Sequence, residues 1–283
     1  ATVTLSRSTP AAAAFQLVAQ SCIRQFRLNA APVIELSDPA ALHQARVALR
    51  RLRTAISVFE PLFPARARAR WNEELRWLAE ELGTARDLDV LLKRVRSGAV
   101  HTRIAVAREA AYVAVKAALV SSRARMLMFD LVEWITIGDW LEDPDSASVR
   151  NAPVHEFAAD ALDRLRGKLK KRGRKFATLD DQHLHDVRKA AKKLRYAAEF
   201  FLPLVPGDRA QRRGLRLVAA LESVQDDLGA ANDWATASAI ARRLGLDEQG
   251  CMDAIRASEP GDEVVATAGG TLHAFLRRKR FWD

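Results

Sequence analysis

The chain has 283 residues, 49% of them hydrophobic, with 45 Lys+Arg against 35 Asp+Glu and a formal charge of +10. This content excludes a disordered chain, and two cysteines, Cys22 and Cys251, exclude a disulfide scaffold and fit a reducing, cytoplasmic setting. No apolar run is long enough to span a membrane, and the Ala11 to Ala14 start does not read as a secretory leader.

Ala, Leu, Arg and Glu recur at helical spacing and alternating Val/Ile/Thr runs are rare, so the expected fold class is all-α. Helices are predicted near 10–28, 39–60, 64–82, 84–97, 101–120 and 123–141. A second series follows near 153–172, 181–202, 208–228, 230–244, 247–257 and 262–279. Ser8-Thr9-Pro10 and Asp38-Pro39 place a capping residue before a proline, Phe63-Pro64 opens another helix, and Ser121-Ser122 supplies a cap. Gly83, Pro203 and Gly229 read as stops. The polar stretch 142–151 reads as a linker between sub-repeats of about 1–141 and 152–283 within one domain.

The two series resemble each other. Leu42 to Arg53 and Leu184 to Arg195 share His, Arg, two basic residues, Leu and Arg in order, at an offset of 142 residues. Leu82-Gly83-Thr84-Ala85-Arg86-Asp87 matches Leu228-Gly229-Ala230-Ala231-Asn232-Asp233 at an offset of 146. Two motifs in the same order at nearly the same offset predict an internal duplication and a pseudo-twofold pair of bundles.

At about 100° per residue, His43, Arg46, Arg50 and Arg53 fall on one stripe about 15 Å long. Leu49, Leu52, Ile56 and Phe59 fall on the opposite face, which belongs to the core. The second copy repeats this with His185, Arg188, Lys192 and Arg195 against Ala191, Leu194, Ala198 and Phe201. No carboxylate occurs within 42–53, and 164–195 holds thirteen Lys+Arg against three Asp. A cation ladder without counter-charges is unfavourable unless water screens it or an anion binds. Polyanions are therefore the expected partners.

The pattern His-x-x-Arg-Val-x-x-Arg-Arg-Leu-Arg from His43, Leu82 to Val90, and Leu184 to Tyr196 with Glu199 following resembles the conserved-histidine α-helical domain (CHAD) family. Phe129 to Trp134 and Phe281-Trp282 extend the likeness, which covers nearly the whole chain. The resemblance implies two pseudo-symmetric helical bundles, a basic central pore that binds inorganic polyphosphate, and association with polyphosphate granules in bacteria. The candidate binding residues are His43, Arg46, Arg50, Arg51, Arg53, Lys116, Arg123, Lys168, Lys171, His185, Arg188, Lys189, Lys192, Lys193 and Arg195. Lys192-Lys193 replaces Arg50-Arg51, exchanging guanidinium forks for point charges. Asn232-Asp233 lacks the arginine of Arg86-Asp87.

No cofactor, metal or catalytic residue is expected. The histidines lack metal-ligand spacing. Asp87, Asp89 and Asp233 suit capping or the orientation of basic side chains. Trp71, Trp77, Trp134, Trp140 and Trp234 suit core or interface gaps more than base stacking. The expected function is non-catalytic polyphosphate binding. The alternatives are general polyanion or nucleic-acid binding, for which no zinc-finger or aromatic-basic strand motif is present, and hydrolysis, for which neither a Walker A loop nor a Glu-x-Glu-x-Lys motif is present.

Overall fold

A computed structural model describes residues 3–95, 98–174, 176–245 and 262–282. Its described regular elements are helices and short 3-10 turns, with a lone β-bridge between Pro10 and Pro153. The expected all-α class is therefore observed. The chain divides into two compact units. Unit 1 comprises residue 1, 16–143 and 234–258; unit 2 comprises 2–15, 144–233 and 259–283.

In chain order the helices are α1 (Ala11–Leu36), α2 (Pro39–Val58), α3 (Ala65–Glu81), α4 (Gly83–Arg94), α5 (Gly98–Val120) and α6 (Ser122–Ile137). There follow α7 (Ala147–Asn151), α8 (Val154–Arg172), α9 (Asp181–Phe201), α10 (Asp208–Arg243) and α11 (Asp262–Leu276). The predicted helix at 247–257 lies outside the described residues.

Several starts follow the cap chemistry. Asp38 accepts from the Ala40 amide at 2.7 Å, with Pro39 in the first turn of α2. Ser121 accepts from Ala124 at 3.1 Å and Asp180 from the His183 amide at 2.8 Å. These bonds satisfy amides that have no partner inside the helix.

Three departures have physical causes. First, α1 runs eight residues past the expected end, from 28 to 36, and contains Pro32. Val33 beside it is fully buried, so packing offsets the lost backbone bond. The helix ends instead at Ser37, whose φ of 52° is left-handed. Second, α6 stops at Ile137 because the Trp140 indole donates to the Trp134 carbonyl at 2.7 Å. Trp140 and Trp134 each lie 5.0 Å from the Phe63 ring, and Trp71 lies 5.3 Å from Trp134, so these aromatics fill unit 1's core. Third, Gly229 does not stop a helix; α10 passes through it. The stretch read as a linker also contains α7, where Arg150 is buried and donates to Ser146 at 2.8 Å.

Candidate anion-binding site

In unit 1, α2 buries Leu42, Ala45, Leu49, Leu52 and Ile56 and leaves His43, Arg46, Arg50 and Arg53 half-buried on its other side. Burial, followed by the positive charges of Arg86, Arg50, Arg46 and Lys93, holds His43 below the ordinary histidine pKa. Five groups from α2 and α4 thus converge: His43, Arg46, Arg50, Arg86 and Lys93. Arg86 and Lys93 were not among the expected binding residues. Their seven-residue spacing on α4 places both on one face, a signal available in the sequence.

Burial also lowers the Arg46 pKa, opposed by the Asp87 carboxylate. The Arg46 Nη1 atom donates to the Ala79 carbonyl at the end of α3. A Cβ on Gly83 would stand 3.3 Å from that nitrogen. Arg53 is lowered first by burial and then by Arg76, and its Nε is buried without a partner. Arg51 points elsewhere: it interacts with the buried Cys22 thiol of α1, whose pKa burial pushes up to about 11.

In unit 2, α9 repeats the arrangement. The Arg188 Nε atom donates to the Gln225 carbonyl at 3.4 Å, and a Cβ on Gly229 would stand 3.1 Å from its Nη2. Arg46 and Arg188 therefore each meet a backbone carbonyl four residues before a glycine that makes room for the guanidinium. His185 lies below the ordinary histidine value through burial, then through Lys189 and Arg188, with Asp186 opposing.

The second ladder is not bare of counter-charge. Lys189 pairs with Asp186 at 2.7 Å. Arg195 pairs with Glu199, donates to Gln225 Oε1 at 3.2 Å and lies 4.5 Å from the Tyr196 ring centre. Lys192 and Lys193 are half-buried on the same helix.

The remaining candidates lie on α5, α6 and α8. Arg123 donates to Glu74 at 3.3 Å and sits 3.9 Å above the Trp77 ring. Lys116 is half-buried on α5, and Lys168 and Lys171 are exposed on α8. Asp89 is buried and accepts from Arg108 at 2.7 Å and from Tyr112 at 2.9 Å. The side chains of Asn232, Asp233 and Trp234 lie outside the described residues.

Half-buried arginines braced by carbonyls, with a depressed histidine among them, form a fixed array of donors suited to anions. A helical protein carrying one such array in each unit is the class this geometry defines. The chain matches the CHAD domain over residues 17–242 and belongs to that family. It is similar to the crystal structure of the CHAD domain from the plant Ricinus communis, with a TM-score of 0.78 and 27% identity over 99% of this chain and 96% of that one. It also shares the fold of PptA from Streptomyces chartreusis, with a TM-score of 0.63 and 18% identity over 95% of this chain and 100% of that one. No curated protein matches the sequence.

Proposed function

We propose that this protein binds inorganic polyphosphate through the α2 and α9 ladders and does not hydrolyse it. The observation that carries the reading is the repeated bracing of Arg46 and Arg188. A polyphosphate chain is a regular polyanion without bases, so cations at helical spacing match it with no further recognition element. The proposal includes an internal duplication, a basic pore, and a location at polyphosphate granules. Among the described residues no helix is long and apolar enough to cross a membrane.

Isothermal titration with polyphosphates of defined length tests this. Arg50→Glu/Lys192→Glu replaces two cations by anions while Leu49, Leu52 and Leu194 keep the packing. Each charge-assisted phosphate bond is worth roughly 1.5–3 kcal/mol, so affinity should fall about a hundredfold or more. Reversal at Arg242 and Arg243, outside the ladders, should weaken binding much less. Equal losses would reduce the ladders to diffuse charge. Preference for single-stranded DNA over polyphosphate at equal salt would favour nucleic acid, and phosphate release by purified protein with magnesium would overturn the non-catalytic reading.

A further inference from the structure

Unit 2 holds a second concentration of positive charge. Arg209, Arg212, Arg213 and Arg216 lie in the first turns of α10 at i, i+3, i+4 and i+7. At about 100° per residue they form a single stripe. Together with Lys279 from the C-terminal segment they line a cavity of about 580 Å³, and no carboxylate lines it.

The cluster is held in place by its surroundings. A Cβ on Gly214 would overlap Leu202 Cδ1 and stand 3.3 Å from the Phe281 ring, so the glycine lets the C-terminal segment close on α10. Phe281 is buried. Arg280 pairs with Asp163 at 2.6 Å, and the Trp282 indole donates to the same carboxylate at 3.0 Å. These contacts fix the segment that carries Lys279.

The five cavity cations differ from most of the ladder cations, Arg53 excepted, in what they touch. None makes an ion pair or hydrogen bond with another described residue. Arg213 Nε is buried without a partner. Five like charges around one cavity repel at close range, and the repulsion is relieved when an anion enters.

The stripe is also separate from the α9 ladder. Gln225 and Gly229, which meet Arg188, lie on the opposite side of α10, about 180° from the arginines, and Arg216 precedes Gln225 by about 13 Å of helix. Guanidinium forks bind phosphate oxygens in pairs, and the cavity is roomy enough for about three linked phosphates.

We propose that this cavity is a second binding site, independent of the ladders, for a compact oligophosphate, either free or as a stretch of a longer chain. Titration of the full chain with tripolyphosphate tests it. In Arg209→Gln/Arg212→Gln/Arg216→Gln, tripolyphosphate binding at this site should weaken about tenfold or more, while Arg50→Glu/Lys192→Glu should retain it.

Unchanged binding in the α10 variant with loss in the ladder variant would overturn this proposal and leave the polyphosphate reading intact. The reverse result would remove the ladders and leave this site. Single-stranded DNA of matched charge binding the cavity as tightly as tripolyphosphate would overturn the oligophosphate assignment. Hydrogen exchange on the wild type serves if the α10 variant does not fold: tripolyphosphate should protect 209–216 and 277–282, and no protection there would overturn the site. Displacement of bound tripolyphosphate by long-chain polyphosphate would support a stretch of polymer as occupant, and failure to displace it the free anion.

Discussion

His43 and His185 show why a side chain's neighbours matter as much as its identity. Both are held below the usual histidine pKa of 6.5, first by burial and then by surrounding cations. Because the unfolded chain binds the proton first, the stability gained by keeping each ring neutral is complete above about pH 6.5 and declines as pH falls through that value. A bound polyanion favours the charged ring, so binding takes up protons and affinity should rise over the same window. Calorimetry from pH 8 to 5.5 should show this rise, and His43→Gln/His185→Gln should flatten it; a flat wild-type profile would take the histidines out of the site. His43, Arg46 and Arg50 could be placed together from spacing alone, because one helix carries them. The destinations of Arg51 at Cys22 and Arg123 at Glu74 could not, because each depends on a different helix arriving alongside.

At the scale of the element, the two repeated glycines acquire a common role. Gly83 begins α4 and Gly229 lies within α10, so they share no cap function, yet each leaves space for an arginine from the ladder helix. Replacing a helical glycine by alanine stabilises a helix by about 1 kcal/mol. In Gly229→Ala the new Cβ would crowd Arg188 at 3.1 Å. Stability should hold or rise while polyphosphate affinity falls severalfold, as read by thermal melts alongside titration. Unaltered affinity would show that the glycine does not shape the Arg188 donor. The sequence pairing of these glycines was legible, but their purpose was not: a stop signal is local, whereas a close approach needs both partners in view.

At the scale of the whole molecule, a net charge of +10 disfavours the compact state through self-repulsion. A polyanion should relieve this. At a ligand concentration one hundred times Kd, binding stabilises by about 2.7 kcal/mol, raising Tm by about 5 °C for a chain of this size. Released counterions make binding salt-sensitive, so differential scanning calorimetry should show the shift shrinking as salt is added. A shift indifferent to salt would contradict an electrostatic ladder.

Helical periodicity alone determined the all-α class, the core face of α2 and the basic stripes of α2 and α9, because each is set by residues a few positions apart on one helix. Motif order determined the family resemblance. Only the tertiary structure decided that Arg86 and Lys93 join His43, that Gln225 restrains Arg195, and that Lys279 meets the α10 arginines. Those groups lie on separate segments, and chain packing, with its close contacts at Gly83, Gly214 and Gly229, brings them within electrostatic range.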